Sequence, residues 1–239
     1  MKIVEYKNSS SIVVEFQDSF KTRINSAYKE FRLGNIRNPY HPSVCGIGMI
    51  GAKYPSKVNN TNTKEYLMWR AMLERCFVSQ HKAKHPTYIN ATCCDEWLLF
   101  ENFYEWLHSQ ENFEKWLNGK QWAIDKDILI KRNKIYSPET CCLVPMNVNN
   151  LFTKCDAARG NTPIGVCKRK YGFEAWCKNP FTDKIEYLGL YPTSRDAFFA
   201  YKIRKEYFIK QVAQIEYDNG NIIKQCYEAM MNYEVEIID

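Results

Sequence analysis

Residues 164–212 hold the pattern that most restricts the fold of this chain. Three short β-type runs between 164 and 190 are separated by turns at Tyr171-Gly172 and Pro180-Phe-Thr-Asp183. Alternate side chains of such runs fall on opposite faces of a sheet. At Thr193-Ser194 the chemistry changes to that of a helix N-cap, and a basic helix runs through Ala197, Ala200, Tyr201 and Arg204 towards Val212. One face of the sheet can offer Lys168, Arg169 or Lys170 with Trp176 and Lys178, interleaving positive charge with an aromatic ring. That combination suits contacts to phosphates and base edges.

The charge distribution points the same way. Residues 151–210 carry 12 basic and 6 acidic side chains, +6, and residues 1–65 carry +5. The stretch 66–150 is neutral, whereas 211–239 carries −5 and reads as an acidic tail with a helical patch from Ile222 to Met231. Positive segments flanking a neutral middle fit phosphate contacts at two places. With 45% hydrophobic and 25% charged residues the composition is globular rather than disordered. No stretch approaches a membrane-spanning length, and the N-terminus MKIVEYKNSS lacks an apolar signal core. The expectation is therefore a cytoplasmic protein with no membrane partner. Its ten cysteines then read as reduced thiols or metal ligands, and the adjacent pairs Cys93-Cys94 and Cys141-Cys142 are not zinc knuckles.

Upstream, Ile3–Tyr6 and Ile12–Phe16 are β-rich runs separated by the turn-like Asn8–Ser11. The glycines of Gly46-Ile-Gly48-Met-Ile-Gly51 look like a phosphate loop, but no helix signal follows and no Lys-Ser/Thr closes it. A polar boundary at 54–64 precedes a helix bearing Tyr66, Trp69, Met72, Leu73, Cys76 and Phe77 at three- and four-residue steps. A second helix is expected from Asp95 to Leu107, with Trp97, Phe100, Phe103, Tyr104 and Leu107 on one stripe. Helical spacing favours core packing for these rings over base stacking. Around Trp122 the period changes, giving a strand (Trp122–Ile130), a loop, a second apolar run from Cys141 and a helix from Asn147 to Lys154.

That strand–loop–strand–helix unit carries the first resemblance. Trp69, Arg75-Cys76, Cys94-Asp-Glu-Trp97, Phe100-Glu-Asn-Phe103, Trp106, Ile124-Asp-Lys-Asp127, Asn133, Tyr136-Ser-Pro-Glu, Cys141 and Asn149-Asn150 together resemble phage-encoded HNH-type proteins. These are similar to homing endonucleases with a ββα-metal fold, and the likeness covers residues 65 to about 154. Active members use a His to activate water and a metal to stabilise the scissile phosphate. The resemblance puts Asp125, Lys126, Asp127 and Asn150 in the catalytic positions, with Asp127 and Asn150 on the metal side and Asp125 beside them. Lys126 stands where the general base belongs, and none of the four histidines (41, 81, 85, 108) falls in the unit. Lysine is a poor base at neutral pH. The resemblance therefore implies a degenerate nuclease core, with Mg²⁺ as cofactor only if the site is active. Cys76, Cys94 and Cys141 could converge on zinc, but three scattered thiols without a fourth ligand read better as core cysteines.

The second resemblance lies in the C-terminal segment. Gly165-Val166, Arg169, Tyr171-Gly172-Phe173-Glu174-Ala175, Tyr187-Leu188-Gly189-Leu190-Tyr191, Ser194, Asp196-Ala197 and Ala200-Tyr201 resemble the DNA-binding domain named for Apetala and ethylene-response factors. That domain also occurs beside HNH domains in phage and mobile-element proteins, and the likeness covers about 50 residues. It implies a three-stranded sheet backed by one helix, with the sheet lying in the major groove. Cys167 stands in place of the family's first-strand Arg. The N-terminal segment, from Val14-Glu15-Phe16 to Gly46-x-Gly48, is also similar to the front of such phage proteins.

The reading is an α+β chain in four parts: a β-rich segment over 1–60, an HNH-like domain over 61–158, a sheet-plus-helix DNA reader over 159–212 and the acidic tail over 213–239. The expected function is double-stranded DNA binding in the cytoplasm, that of the host cell if the chain is phage-encoded, with a degenerate nuclease core. The alternatives are an active metal-dependent HNH-type endonuclease and a phage anti-defence protein that binds a host defence protein through the acidic tail and aromatic residues.

Overall fold

The computed structural model describes residues 1–153 and 162–237. The chain is α+β and divides into two compact units, Met1–His108 and Ser109–Asp239. The segment 61–158 runs across that division, and both its far boundary and Lys154 lie outside the described residues.

In the first unit, β1 (Lys2–Asn8), β2 (Ser11–Glu15) and β3 (Arg23–Ser26) form an antiparallel meander. Ile12 and Val14, two residues apart on the central strand, are its buried side chains, as a period of two requires. Helix α1 (Tyr28–Leu33) stops at Gly34 in the left-handed region. The short strands β4 (Lys57–Val58) and β5 (Thr61–Asn62) pair across Asn59-Asn60, both at positive φ, a conformation asparagine tolerates in tight hairpins. Helix α2 (Lys64–Phe77) starts at Thr63, whose hydroxyl accepts the Tyr66 N–H at 3.3 Å, and it buries Trp69, Met72, Leu73 and Cys76. Helix α3 (Ser79–Lys84) and strand β6 (Thr92–Cys93) follow.

The single helix expected over 95–107 is divided. Asp95–Leu98 is a 3-10 turn, Leu99 is extended at φ −98° and ψ 121°, and α4 spans Phe100–His108. The break has a tertiary cause. Met49 N–H donates to the Leu98 carbonyl at 2.8 Å, and Phe100 N–H donates to the Met49 carbonyl at 2.9 Å. Leu99 is thereby held in a β-bridge with Met49. The stripe still packs as its spacing predicts, with Trp97, Phe100, Phe103 and Leu107 buried. The Trp69 indole donates to the Trp97 carbonyl at 2.7 Å. The Gly46–Gly51 run meets this core: a Cβ on Gly48 would collide with Leu73 and Trp69, and one on Gly51 with Glu101. These glycines permit close approach of backbone to side chains.

In the second unit, α5 (Phe113–Asn118) precedes β7 (Trp122–Asp125), β8 (Ile135–Tyr136), β9 (Cys142–Pro145) and α6 (Met146–Leu151). Strands β7 and β9 are antiparallel, with Ile124 opposite Leu143 and Asp125 opposite Cys142. Then β10 (Val166–Arg169), β11 (Gly172–Lys178) and β12 (Ile185–Tyr191) form a three-stranded antiparallel sheet in that order. Helix α7 (Ser194–Asp218) lies across it, capped by Thr193 through the Asp196 N–H, and continues beyond the expected end near Val212. Helix α8 (Lys224–Met231) packs on α7. A single apolar core joins Cys142, Val144, Val148 and Leu151 to Val166, Ala175, Cys177, Ala197, Phe198 and Phe208. The strand–strand–helix unit and the C-terminal sheet therefore share one interior. Cys226 and Met230 of the acidic tail are buried in it as well.

Candidate nucleic-acid interface

The register of the C-terminal sheet decides which side chains face away from α7. Val166 lies opposite Ala175 on the buried side, so Cys167 and Arg169 point outward, as does Glu174 opposite Cys167. A register shift between Ala175 and Trp176 on the β11–β12 ladder skips Leu188, which packs against the core. Past it, Trp176 faces outward opposite Tyr187, and Lys178 opposite Ile185. Bulges of this kind re-aim side chains. The outward face thus holds Arg169, Trp176 and Lys178 from the set expected to contact DNA.

The other two lie elsewhere. Lys168 pairs with Phe173, which packs against the core, so it projects exposed from the helix side of the sheet edge. Lys170 sits in the β10–β11 turn, its ammonium 5.1 Å from the exposed Tyr171 ring. The structure also adds residues. Glu174, at the centre of the face, accepts from Arg169 Nε at 2.7 Å and from the Trp176 indole at 3.1 Å. The Arg169 bond is the chief cause holding the Glu174 carboxyl below the usual glutamate range. Tyr187 meets Trp176 at 4.8 Å between ring centroids and is half exposed. The period-2 spacing could have identified both, had the bulge been legible.

Gly165 sits at φ +75°, directly under the Tyr201 ring, where a Cβ would overlap the ring atoms. Gly-Val and Ala-Tyr, 35 residues apart, are therefore two sides of one contact.

In the strand–strand–helix unit, Asp125 ends β7 and folds back to accept the N–H groups of Asp127 at 2.7 Å and Ile128 at 2.8 Å. Burial raises its pKa above the ordinary aspartate value, against the pull of those two N–H groups. Lys126 is only 4% exposed. Its Nζ donates to both Asp127 oxygens at 2.7 and 2.6 Å and to the Asn133 carbonyl at 3.0 Å. Asn133 answers by donating to the Lys126 carbonyl at 2.8 Å and the Ile135 carbonyl at 2.6 Å. The structure thus brings Asp125, Lys126 and Asp127 into one closed loop.

Asn150 is exposed on α6, and Asn147, also exposed, is the asparagine of that helix that donates to the buried Glu216, at 2.6 Å. This arrangement does not suit a divalent ion: the Asp127 carboxylate already neutralises an ammonium, and Asp125 is spent on its own turn. Among the described residues, no group of three or more His, Cys, Asp or Glu side chains is placed to hold a metal. Of the cysteines considered for zinc, Cys76 lies against Cys93 as a free thiol, and the hydrogen bond between them, with burial, pushes the Cys93 pKa far up. Burial raises Cys94 to about 11 and Cys141 well above the ordinary thiol value.

Compared with known proteins, the chain matches no family model, no curated protein and no solved structure. No helix among the described residues is long and apolar enough to cross a membrane.

Proposed function

We propose that this protein binds double-stranded DNA through the outward face of the β10–β11–β12 sheet, and that its strand–strand–helix unit serves as structure rather than as a nuclease. The observation that carries the reading is the face itself. A three-stranded sheet is covered on one side by α7 and open on the other, which carries Arg169, Trp176, Lys178 and Tyr187, with the Trp176 and Tyr187 rings in contact. Cations interleaved with aromatic rings on a rigid sheet match groove edges and sugar–phosphate backbones. The segment 151–210, with its +6 charge, supplies long-range attraction.

The inactive nuclease core is supported by the Lys126 ammonium. It occupies the place of a neutral base and holds the carboxylate that a metal would need. Hydrolysis of a phosphodiester at neutral pH needs one or the other.

The test is incubation of the full chain with plasmid DNA and Mg²⁺ or Mn²⁺, read out by gel shift and by nicking together. The expected result is a shift without nicking, with affinity falling steeply as salt is raised from about 50 to 200 mM. Salt-insensitive binding would remove the phosphate-contact argument, and metal-dependent nicking would make the protein an endonuclease.

A further inference from the structure

The first unit contains a cleft of ≈ 500 Å³ between the Ser43–Cys45 loop, α2 and α3. Its size falls within the range of small-ligand sites. Arg70 and Lys84 bring two cations to it, and Glu74 brings one carboxylate. Arg70 donates through Nε to Glu74 at 2.9 Å, which orients the guanidinium and leaves its terminal amino groups for a ligand. Lys84 has no carboxylate partner among the described residues. His81 also lines the cleft, and its Nδ1 is buried without a hydrogen-bond partner. Burial, with the His85 and Arg75 charges behind it, holds the His81 pKa below the ordinary histidine value. Tyr66, Val44 and Val78 give the rest of the wall an aromatic and aliphatic part, and Ser43, Cys45 and Gln80 a polar one.

We infer that this cleft binds a phosphate ester of nucleoside-monophosphate size, with Arg70 and Lys84 on the phosphate, His81 beside it, and the nucleoside body against Tyr66 and Val78. The net charge of these groups, two positive against one negative, selects an anion. A carboxylate would be satisfied by the Arg70 fork alone, whereas a phosphate dianion uses the fork and the lysine point charge together. A free inorganic ion would fill a small part of the volume. The ligand is either a free nucleotide or the terminal nucleotide of a 5′-phosphorylated strand. This site lies in the first unit, on residues the proposed DNA face does not use, so the two readings stand or fall separately.

The test is calorimetric titration of the full chain with AMP, and of its Arg70→Ala/Lys84→Ala variant. Both side chains are on exposed helix surface, and an unchanged circular dichroism spectrum and melting temperature confirm folding. Saturable binding that weakens tenfold or more in the variant is the expected result. The single Lys84→Ala variant, which leaves the Arg70–Glu74 pair intact, should weaken binding at least threefold. Absence of saturable AMP binding, or equal affinity in the folded double variant, overturns the proposal. In competition, displacement of AMP by a 5′-phosphorylated oligonucleotide but not by its 5′-hydroxyl counterpart identifies a strand end. Displacement by neither identifies the free nucleotide.

Discussion

Arg169 and Glu174, on neighbouring strands of the C-terminal sheet, form an ion pair of 2.7 Å on its open face, with the Trp176 indole on the same carboxylate oxygen. The pair is solvent-accessible, so it holds Arg169 in position more than it stabilises the fold. It also sets a competition, because a DNA phosphate or base edge must share Arg169 with Glu174. Glu174→Gln should tighten duplex binding several-fold and increase its salt dependence, measured by fluorescence anisotropy. Arg169→Ala should weaken it by about tenfold or more. Lys168→Ala, on the other side of the sheet edge, should cost less. A Lys168 effect equal to that of Arg169 would move the interface off the outward face.

Lys126 is the least exposed charged residue among the described residues, and its partners define what it does. Lys126→Ala removes the buried cation that ties Asp127 to the Asn133 carbonyl. It should lower stability by about 2 kcal/mol, less than a fully buried pair would cost, since the Asp127 side chain is 43% exposed and can be hydrated. Duplex affinity should stay near wild type. Urea denaturation and gel shift on the same preparation check both halves, and a stable variant that loses DNA binding would place the grip in this loop.

Asp125 gives a pH signature. Its folded-state pKa is raised, so the folded chain holds the proton more tightly than the unfolded one. The associated stability is present at acid pH and is lost as pH rises through the folded value. Asp125→Asn keeps an acceptor for the Asp127 and Ile128 N–H groups without the buried charge. It should melt higher than wild type at pH 7, and the difference should shrink on acidification towards pH 4. A difference that grows on acidification would mean that the carboxylate is stabilised in the fold.

Gly165 tests the contact beneath the second resemblance. A methyl group there meets the Tyr201 ring and must also hold φ +75°. Gly165→Ala should destabilise by about 3 kcal/mol through overpacking and left-handed strain. Gly165→Ala combined with Tyr201→Leu should recover part of that loss if the ring is the obstacle. Thermal melts of the two variants decide it.

Local features were legible in the residues alone. Alternation and turn residues gave the three C-terminal strands, Thr193 gave the start of α7, and three- and four-residue spacing identified Trp69, Met72, Leu73, Phe100, Phe103 and Leu107 as core. These signals are carried by neighbours within a few residues, so no tertiary information is needed to read them. Tertiary structure decided the rest. Leu99 leaves the helix because Met49, fifty residues earlier, captures the backbone on either side of it. Lys168 and Trp176 fall where they do because a ladder has a partner and a bulge, neither of which is written in one strand. Cys142 and Val166 share an interior because packing joins segments that composition and charge had divided. Lys126 became a tether because Asn133 folds back upon it: an ammonium's role is set by which oxygens surround it, and those come from the fold.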